Sequence, residues 1–177
     1  MFGTWRLSVV PMELQEYALD PRSMGMQPND RSTWLTLVSP NGTGGQCTDL
    51  SASLMEAMWT KDGSALKTAG GNGIDVVSNL SKRHNVDSSS TPTGGAIFSS
   101  RASTAYGHTG IVSHVFDNGD FLIIEQNIGG FSGDSNGTPL TWNYRYVKSS
   151  QISRQGYEFF NPADAGYDFV SGIASLS

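Results

Sequence analysis

A lone cysteine, Cys47, follows Gly44-Gly45-Gln46 and opens the run Cys47-Thr-Asp-Leu-Ser-Ala-Ser-Leu-Met-Glu-Ala-Met58, whose apolar residues recur at helical spacing. A thiol in the first turn of a helix lies at the positive end of the backbone dipole, which favours thiolate and nucleophilic attack. Downstream, Tyr106-Gly-His108-Thr-Gly-Ile-Val112 supplies an imidazole, and Ile124-Glu125-Gln-Asn127 supplies a carboxylate and an amide. These are the parts of an amide hydrolase. The thiolate attacks the carbonyl, the imidazole balances the thiolate and then protonates the leaving amine, and the carboxylate or amide fixes the ring's tautomer. The backbone N–H of Cys47 is the simplest donor to the oxyanion, with Gln46 a second donor unless that glutamine only caps the helix. Gly107 and Gly110, on either side of His108, leave room for a substrate backbone beside the ring.

Taken singly, each residue has a plainer reading. A free cysteine usually packs in a core, a histidine beside glycine is usually a satisfied strand residue, and Glu-Gln-Asn is usually a strand end. What favours chemistry is their joint order and facing. Asp117-Asn-Gly-Asp120 is a hairpin signal, because Asn-Gly tolerates the positive φ that a two-residue turn demands. With Asn118 and Gly119 as the loop, Val112 lies opposite Glu125 and Gly110 opposite Asn127. His108, Glu125 and Asn127 then share one face, whereas a three-residue loop flips the parity. His114, about 20 Å from His108 at about 3.3 Å per residue, is read as structural, and His84, in a polar loop, as solvated.

The elements that must position these groups are read from periodicity. The helix from Cys47 puts Leu50, Leu54, Ala57 and Met58 on one stripe with the thiol at its edge, and a second helix covers residues 73–80 with Ile74, Val77 and Leu80 inward. From Gly95 the pattern changes to strands at Ala96–Ser99, His108–Phe116, Phe121–Gln126, Trp142–Val147 and Tyr157–Phe160. Helices followed by antiparallel strands predict an α+β domain with N-terminal helices packed on an antiparallel sheet. Residues 1–43, broken by Pro11, Pro21, Pro28 and Pro40, read as an irregular arm or linker with a weak helix at Met12–Leu19 and a short strand at Trp34–Val38. The domain proper is expected over 44–162, and 163–177 as a tail.

Composition narrows the partners. Charged residues are only 15% of 177, and the net charge of −5 argues against a generic nucleic-acid binder, which carries a basic stripe. One cysteine excludes an internal disulfide and a multi-cysteine zinc site. Asp30 and Asn41 fall short of the oxygens calcium prefers, so no metal and no cofactor is expected. No apolar stretch reaches the roughly 20 residues of a membrane span, so no membrane insertion is expected, and Met1–Pro11 lacks the form of a signal peptide.

The segments Gly45-Gln-Cys47-Thr-Asp-Leu, Gly71-Asn-Gly-Ile-Asp75, Gly94-Gly-Ala-Ile-Phe98, Gly107-His108-Thr-Gly-Ile-Val112 and Ile124-Glu125-Gln-Asn127 resemble, in order and spacing, the CHAP domain. That is the cysteine, histidine-dependent amidohydrolase/peptidase of bacterial and phage cell-wall enzymes, and the likeness runs over roughly residues 44–160. It implies a papain-like fold of the CHAP and NlpC/P60 type, with Cys47 as nucleophile, His108 as base, Glu125 as third member and Asn127 as a further polar partner. It also implies bacterial peptidoglycan as substrate, cut within the wall peptide or at the glycan-peptide junction. The spacing of histidine and glutamate resembles staphylococcal phage lysins, and Phe159–Tyr167 resembles the end of some phage or conjugation-associated members. The expected setting is therefore the wall of a target bacterium or a virion, with phage or secretion-apparatus proteins as partners of the N-terminal arm. The alternatives left open are a non-catalytic wall-binding or virion module on the same fold, and an amidohydrolase of a non-wall amide.

Overall fold

Short runs rich in β-branched and aromatic residues in the second half of the chain favour extended segments, and their apolar sides need a cover, which the helices provide. In the computed structural model, which describes residues 4–6, 10–24, 46–101, 105–126 and 142–170, the order is β1 (Thr4–Arg6), α1 (Met12–Gln15), α2 (Cys47–Met58), β2 (Trp59–Lys61), β3 (Ser64–Ala65), α3 (Val76–His84), β4 (Ile97–Ser100), β5 (His108–Val115), β6 (Phe121–Gln126), β7 (Trp142–Val147), β8 (Glu158–Phe160) and β9 (Asp168–Phe169). A six-stranded antiparallel sheet runs β1-β7-β6-β5-β4-β8, and a small one runs β3-β2-β9. The expected α+β architecture, helices on an antiparallel sheet, is what forms.

The two faces of the large sheet differ. Ile97, Ile111, Ile124 and Tyr144, which are cross-strand neighbours, face α2 and α3 and join Leu50, Leu54, Met55, Met58, Val77 and Leu80 in the main core. Ser51, Ala52 and Ser53 are small enough to let α2 sit close to β5, and the Ser51 hydroxyl meets that of Thr109 at 3.2 Å. On the other face, Phe98, Val112, Phe121, Ile123, Tyr157 and Phe159 form a second buried cluster.

The hairpin departs from the expected register. Phe116 N–H donates to Asp120 O and Gly119 N–H to Phe116 O, each at 2.8 Å, and only Gly119 has positive φ, +83°. The loop is thus three residues, 117–119, the form in which a glycine closes a bulge. That flips the parity, and a β-bulge at Ser113 flips it back: Val115 pairs with Phe121, but beyond the bulge Val112 pairs with Ile123 and Gly110, not Val112, pairs with Glu125. The two one-residue shifts add to a displacement of two, which keeps the parity, so His108 and Glu125 still share a face.

The described parts of both flanks are built into the fold rather than appended to it. β1 extends the sheet beside β7, and Val10, Leu14 and Leu19 enter the main core. The bulged Ser113 hydroxyl accepts from Leu19 N–H at 2.6 Å and donates to Tyr17 O at 2.5 Å, while Tyr144 hydroxyl donates to Leu19 O. β9 pairs with β2, where Phe169 stacks on Trp59 at 4.1 Å. The strand read at Trp34–Val38 lies outside the described residues. Ile74 is turned outward, 38% exposed, because Gly73–Asp75 forms a tight 3-10 turn before α3 and Val76 takes the inward place. His84, expected in solvent, is half-buried against Phe160 and Tyr167. His114 stacks on Tyr17 at 4.3 Å.

Candidate active site

Cys47 is the first residue of α2, and the start of that helix is fixed from two sides. Gln46 is extended, with φ −81° and ψ 160°, and its N–H donates to the Asp49 carboxylate at 2.9 Å. Burial raises the Asp49 pKa, which the Gln46 N–H opposes. Gln126, at the end of β6 and fully buried, donates its side-chain amide to Gln46 O at 2.9 Å.

His108 opens β5 and is 3% exposed. Its Nε2 lies 2.9 Å from Glu125 Oε2, as diagonal neighbours across β5 and β6 allow. The other ring nitrogen, Nδ1, is left for Cys47, which lines the same cleft and is, with Glu125, one of the two groups that raise the imidazole's pKa. Burial alone would hold the imidazole low, but the hydrogen bonds to Cys47 and Glu125 and the charge on both outweigh it, and its pKa is pushed up to about 9. This environment favours the cationic ring, poised between a sulfur and a carboxylate.

Glu125 is wholly buried, yet ionised. Burial works to raise its pKa, but the bond to His108 and the Arg145 guanidinium outweigh it and hold the carboxyl below its ordinary value. Arg145 reaches both oxygens, Nε to Oε1 and Nη2 to Oε2, each at 2.9 Å, and Asn143 Nδ2 donates to Oε1 at 3.0 Å. Arg145 Nη2 also donates to the Tyr157 hydroxyl at 3.2 Å. A carboxylate with this many donors cannot itself donate, so His108 Nε2 carries the proton between them. Sequence reading missed Asn143 and Arg145. Their signal was faint but present: in Trp142-Asn-Tyr-Arg-Tyr-Val147, polar Asn143 and Arg145 alternate with aromatic Trp142, Tyr144 and Tyr146, which puts both on one face of β7.

A cleft of about 450 Å³ opens over Cys47 and His108, lined also by Gln46, Thr48, Asn72, Tyr106 and Gly107. Its far wall is brought in by Gly73, where a Cβ would come within 2.7 Å of His108 Cα. Ser99 locks that wall, accepting from Val77 N–H at 3.1 Å and donating to Gly73 O at 2.7 Å, and Ile74 N–H donates to Tyr106 O at 3.0 Å. Tyr106 stands 67% exposed at the rim. Of the residues read from sequence, Cys47, Gln46, His108 and Gly107 meet at this cleft, and Glu125 backs His108 from inside the sheet. Gly110 does not line it: a Cβ there would meet Ile124 O at 2.4 Å and the Phe98 ring at 2.8 Å, so its missing side chain makes room for sheet packing rather than for substrate. Asn127 lies outside the described residues, as do Asp30 and Asn41. Among the described residues no three His, Cys, Asp or Glu side chains gather as a metal site.

The arrangement places a thiol and a protonated imidazole side by side at a solvent-open cleft, which is the equipment for acyl transfer. Comparison with known proteins agrees in kind. No curated protein sequence matches the chain. Among solved structures, the crystal structure of an N-acetylmuramoyl-L-alanine amidase from Staphylococcus aureus is similar, with TM-score 0.50 and 18% identity over 86% of this chain. The chain spans only 40% of that protein's length, and the likeness concerns the fold. The CHAP domain family model matches residues 38–127, which include Cys47, His108 and Glu125 and make up just over half of the chain. With the motif order, the papain-like α+β fold and the family match in agreement, the chain belongs to the CHAP family of cysteine, histidine-dependent amidohydrolases and peptidases.

Proposed function

We propose that this protein hydrolyses an amide bond of the bacterial wall peptide, with Cys47 as nucleophile and His108 as the proton carrier. The observation that carries the reading is the His108 ring held between Cys47 and the buried Glu125 carboxylate, at the base of an open cleft. Cys47 Sγ attacks the carbonyl carbon, and the oxyanion is received by backbone N–H at the start of α2, that of Cys47 first. The His108 cation then gives its proton to the departing amine, leaving a thioester on Cys47. Neutral His108 next takes a proton from water, whose oxygen attacks the thioester, and the proton is returned to the sulfur or kept on the ring as thiolate departs. Glu125 keeps the ring in the tautomer and orientation both steps require, and Arg145 with Asn143 keeps Glu125 ionised.

The substrate reading rests on the family. Family membership supports peptidoglycan, and the amidase name of the similar staphylococcal structure makes the glycan-peptide junction the first bond to test, with cross-bridge or stem cleavage the other. Sequence likeness to staphylococcal phage lysins makes Gram-positive walls the first substrate to try. Cys47→Ala is expected to abolish turbidity loss of such walls while leaving the thermal transition in place. Retention of activity by that variant rejects the reading. Mass spectrometry of the fragments released by the unaltered protein identifies the bond from the new amino terminus.

A further inference from the structure

We propose that Gln126 is a positioning residue for the oxyanion donor, acting through the Gln46–Cys47 peptide. The inference rests on the hydrolase reading above and extends it to a residue that no step of the mechanism has used. Gln126 is fully buried, and its bond partner is a carbonyl oxygen, so the amide must present its N–H₂ there. Gln46 O is thus fixed by Gln126 Nε2 at 2.9 Å and by Asp49 N–H at 3.1 Å. A trans peptide points its N–H opposite to its C=O. Pinning the Gln46 carbonyl into the interior therefore aims the Cys47 N–H away from Gln126, toward the side on which Gln46 and Cys47 border the cleft. As the first N–H of the helix, it has no partner within α2.

The neighbour of Gln126 completes the argument. Successive strand residues point to opposite faces. Glu125 reaches the imidazole on one side of the sheet, and Gln126 reaches the nucleophile's backbone on the other. One dipeptide of β6 thereby sets the position of the base relative to the peptide that receives the oxyanion. Stability alone does not account for Gln126, because its Oε1 is buried with no hydrogen-bond partner among the described residues. An apolar side chain of similar length would remove that orphaned acceptor, and Gln46 O would keep the Asp49 N–H as its donor.

Gln126→Met separates the two roles. Expected is a fall in kcat of about 10- to 100-fold for amine release from solubilised peptidoglycan, the loss that roughly 1 Å of misplacement brings, with KM little changed. The Cys47 alkylation rate with iodoacetamide, which needs no oxyanion donor, and Tm should hold. Should Met not be accepted, Gln126→Asn keeps polarity but withdraws the amide by one methylene, and the same split is expected. An unchanged kcat overturns the proposal, and so does a loss in kcat that only follows equal losses in Tm and alkylation rate. Cys47→Ala run alongside distinguishes the failures: if it is active the hydrolase reading is wrong, and if it is dead while Gln126→Met is fully active only the positioning role is wrong.

Discussion

The two faces of the large sheet use the same strands for opposite ends. Toward the helices, Ile97, Ile111 and Ile124 fill a core by contact and shape, and Tyr144 adds a hydrogen bond to Leu19 O. On the other face, at the end of the sheet nearest the cleft, the cross-strand row through Gly110, Glu125 and Asn143 joins His108 and Arg145 in a polar network with Glu125 fully buried. Apolar burial tolerates exchange of similar volumes, whereas a buried carboxylate tolerates the loss of none of its partners. β5 shows the contrast within one strand: His108 at its start meets a carboxylate and a thiol, while His114 near its end meets the rings of Tyr17 and Phe116. Environment, not residue type, separates the two histidines.

Substitutions should divide along the same line. The largest effect is expected from His108→Ala, which removes the proposed proton carrier and should lower amine release by about 10²- to 10⁴-fold without displacing the apolar face. Glu125→Gln should cost less in rate but move the pH profile. With His108 titrating at about 9, the alkaline limb of kcat belongs there, and without the neighbouring charge it should fall toward the ordinary imidazole value near about 6.5. Linkage gives the matching stability signature. The raised His108 contributes stability that is complete below the ordinary imidazole value and lost as pH rises through about 9, while the lowered Glu125 contributes above the ordinary carboxyl value and loses it as pH falls through its own. Unfolding measured across pH should show both limbs in the wild type and a flatter curve in Glu125→Gln.

Arg145→Met strands a buried carboxylate and should destabilise by about 3–5 kcal/mol in denaturant unfolding, with partial recovery in Arg145→Lys, which restores charge but not the two-toothed grip. Ile124→Ala, on the helix-facing side, should cost about 2–5 kcal/mol of stability yet leave the alkaline limb where it was. If it moves that limb as far as Glu125→Gln does, the two faces are not independent. The smallest effect is expected from Ser113→Ala, about 1–3 kcal/mol for leaving Leu19 N–H without its acceptor, read as a lower Tm.

Much of the candidate site's placement was legible because its parts lie in short motifs whose local structure is strongly determined. Glycines and Gln46 before an amphipathic run mark the start of α2, and β-branched and aromatic runs around the Asn118-Gly119 turn mark β5 and β6. The register was not legible. Asn118-Gly119 signals a turn, but whether it closes over two residues or three depends on the strands it joins, and nothing in Val112-Ser113-His114 marks a bulge. That bulge is held by Tyr17 and Leu19, about a hundred residues away in sequence. Arg145 and Asn143 were missed for a related reason: polar residues on a strand ordinarily face water, and only the pairing of β7 with β6 turns them onto Glu125.

Residue types, their order and their periodicity determined the chemistry on offer, the helix that carries the thiol and the strands that carry the base, because these depend on neighbours within a few positions. Tertiary structure decided which partners satisfy the buried charge and which glycine faces the cleft, and it restored the parity that the turn had reversed. Those outcomes depend on contacts between distant segments, and a buried ion exists only where such contacts supply its donors.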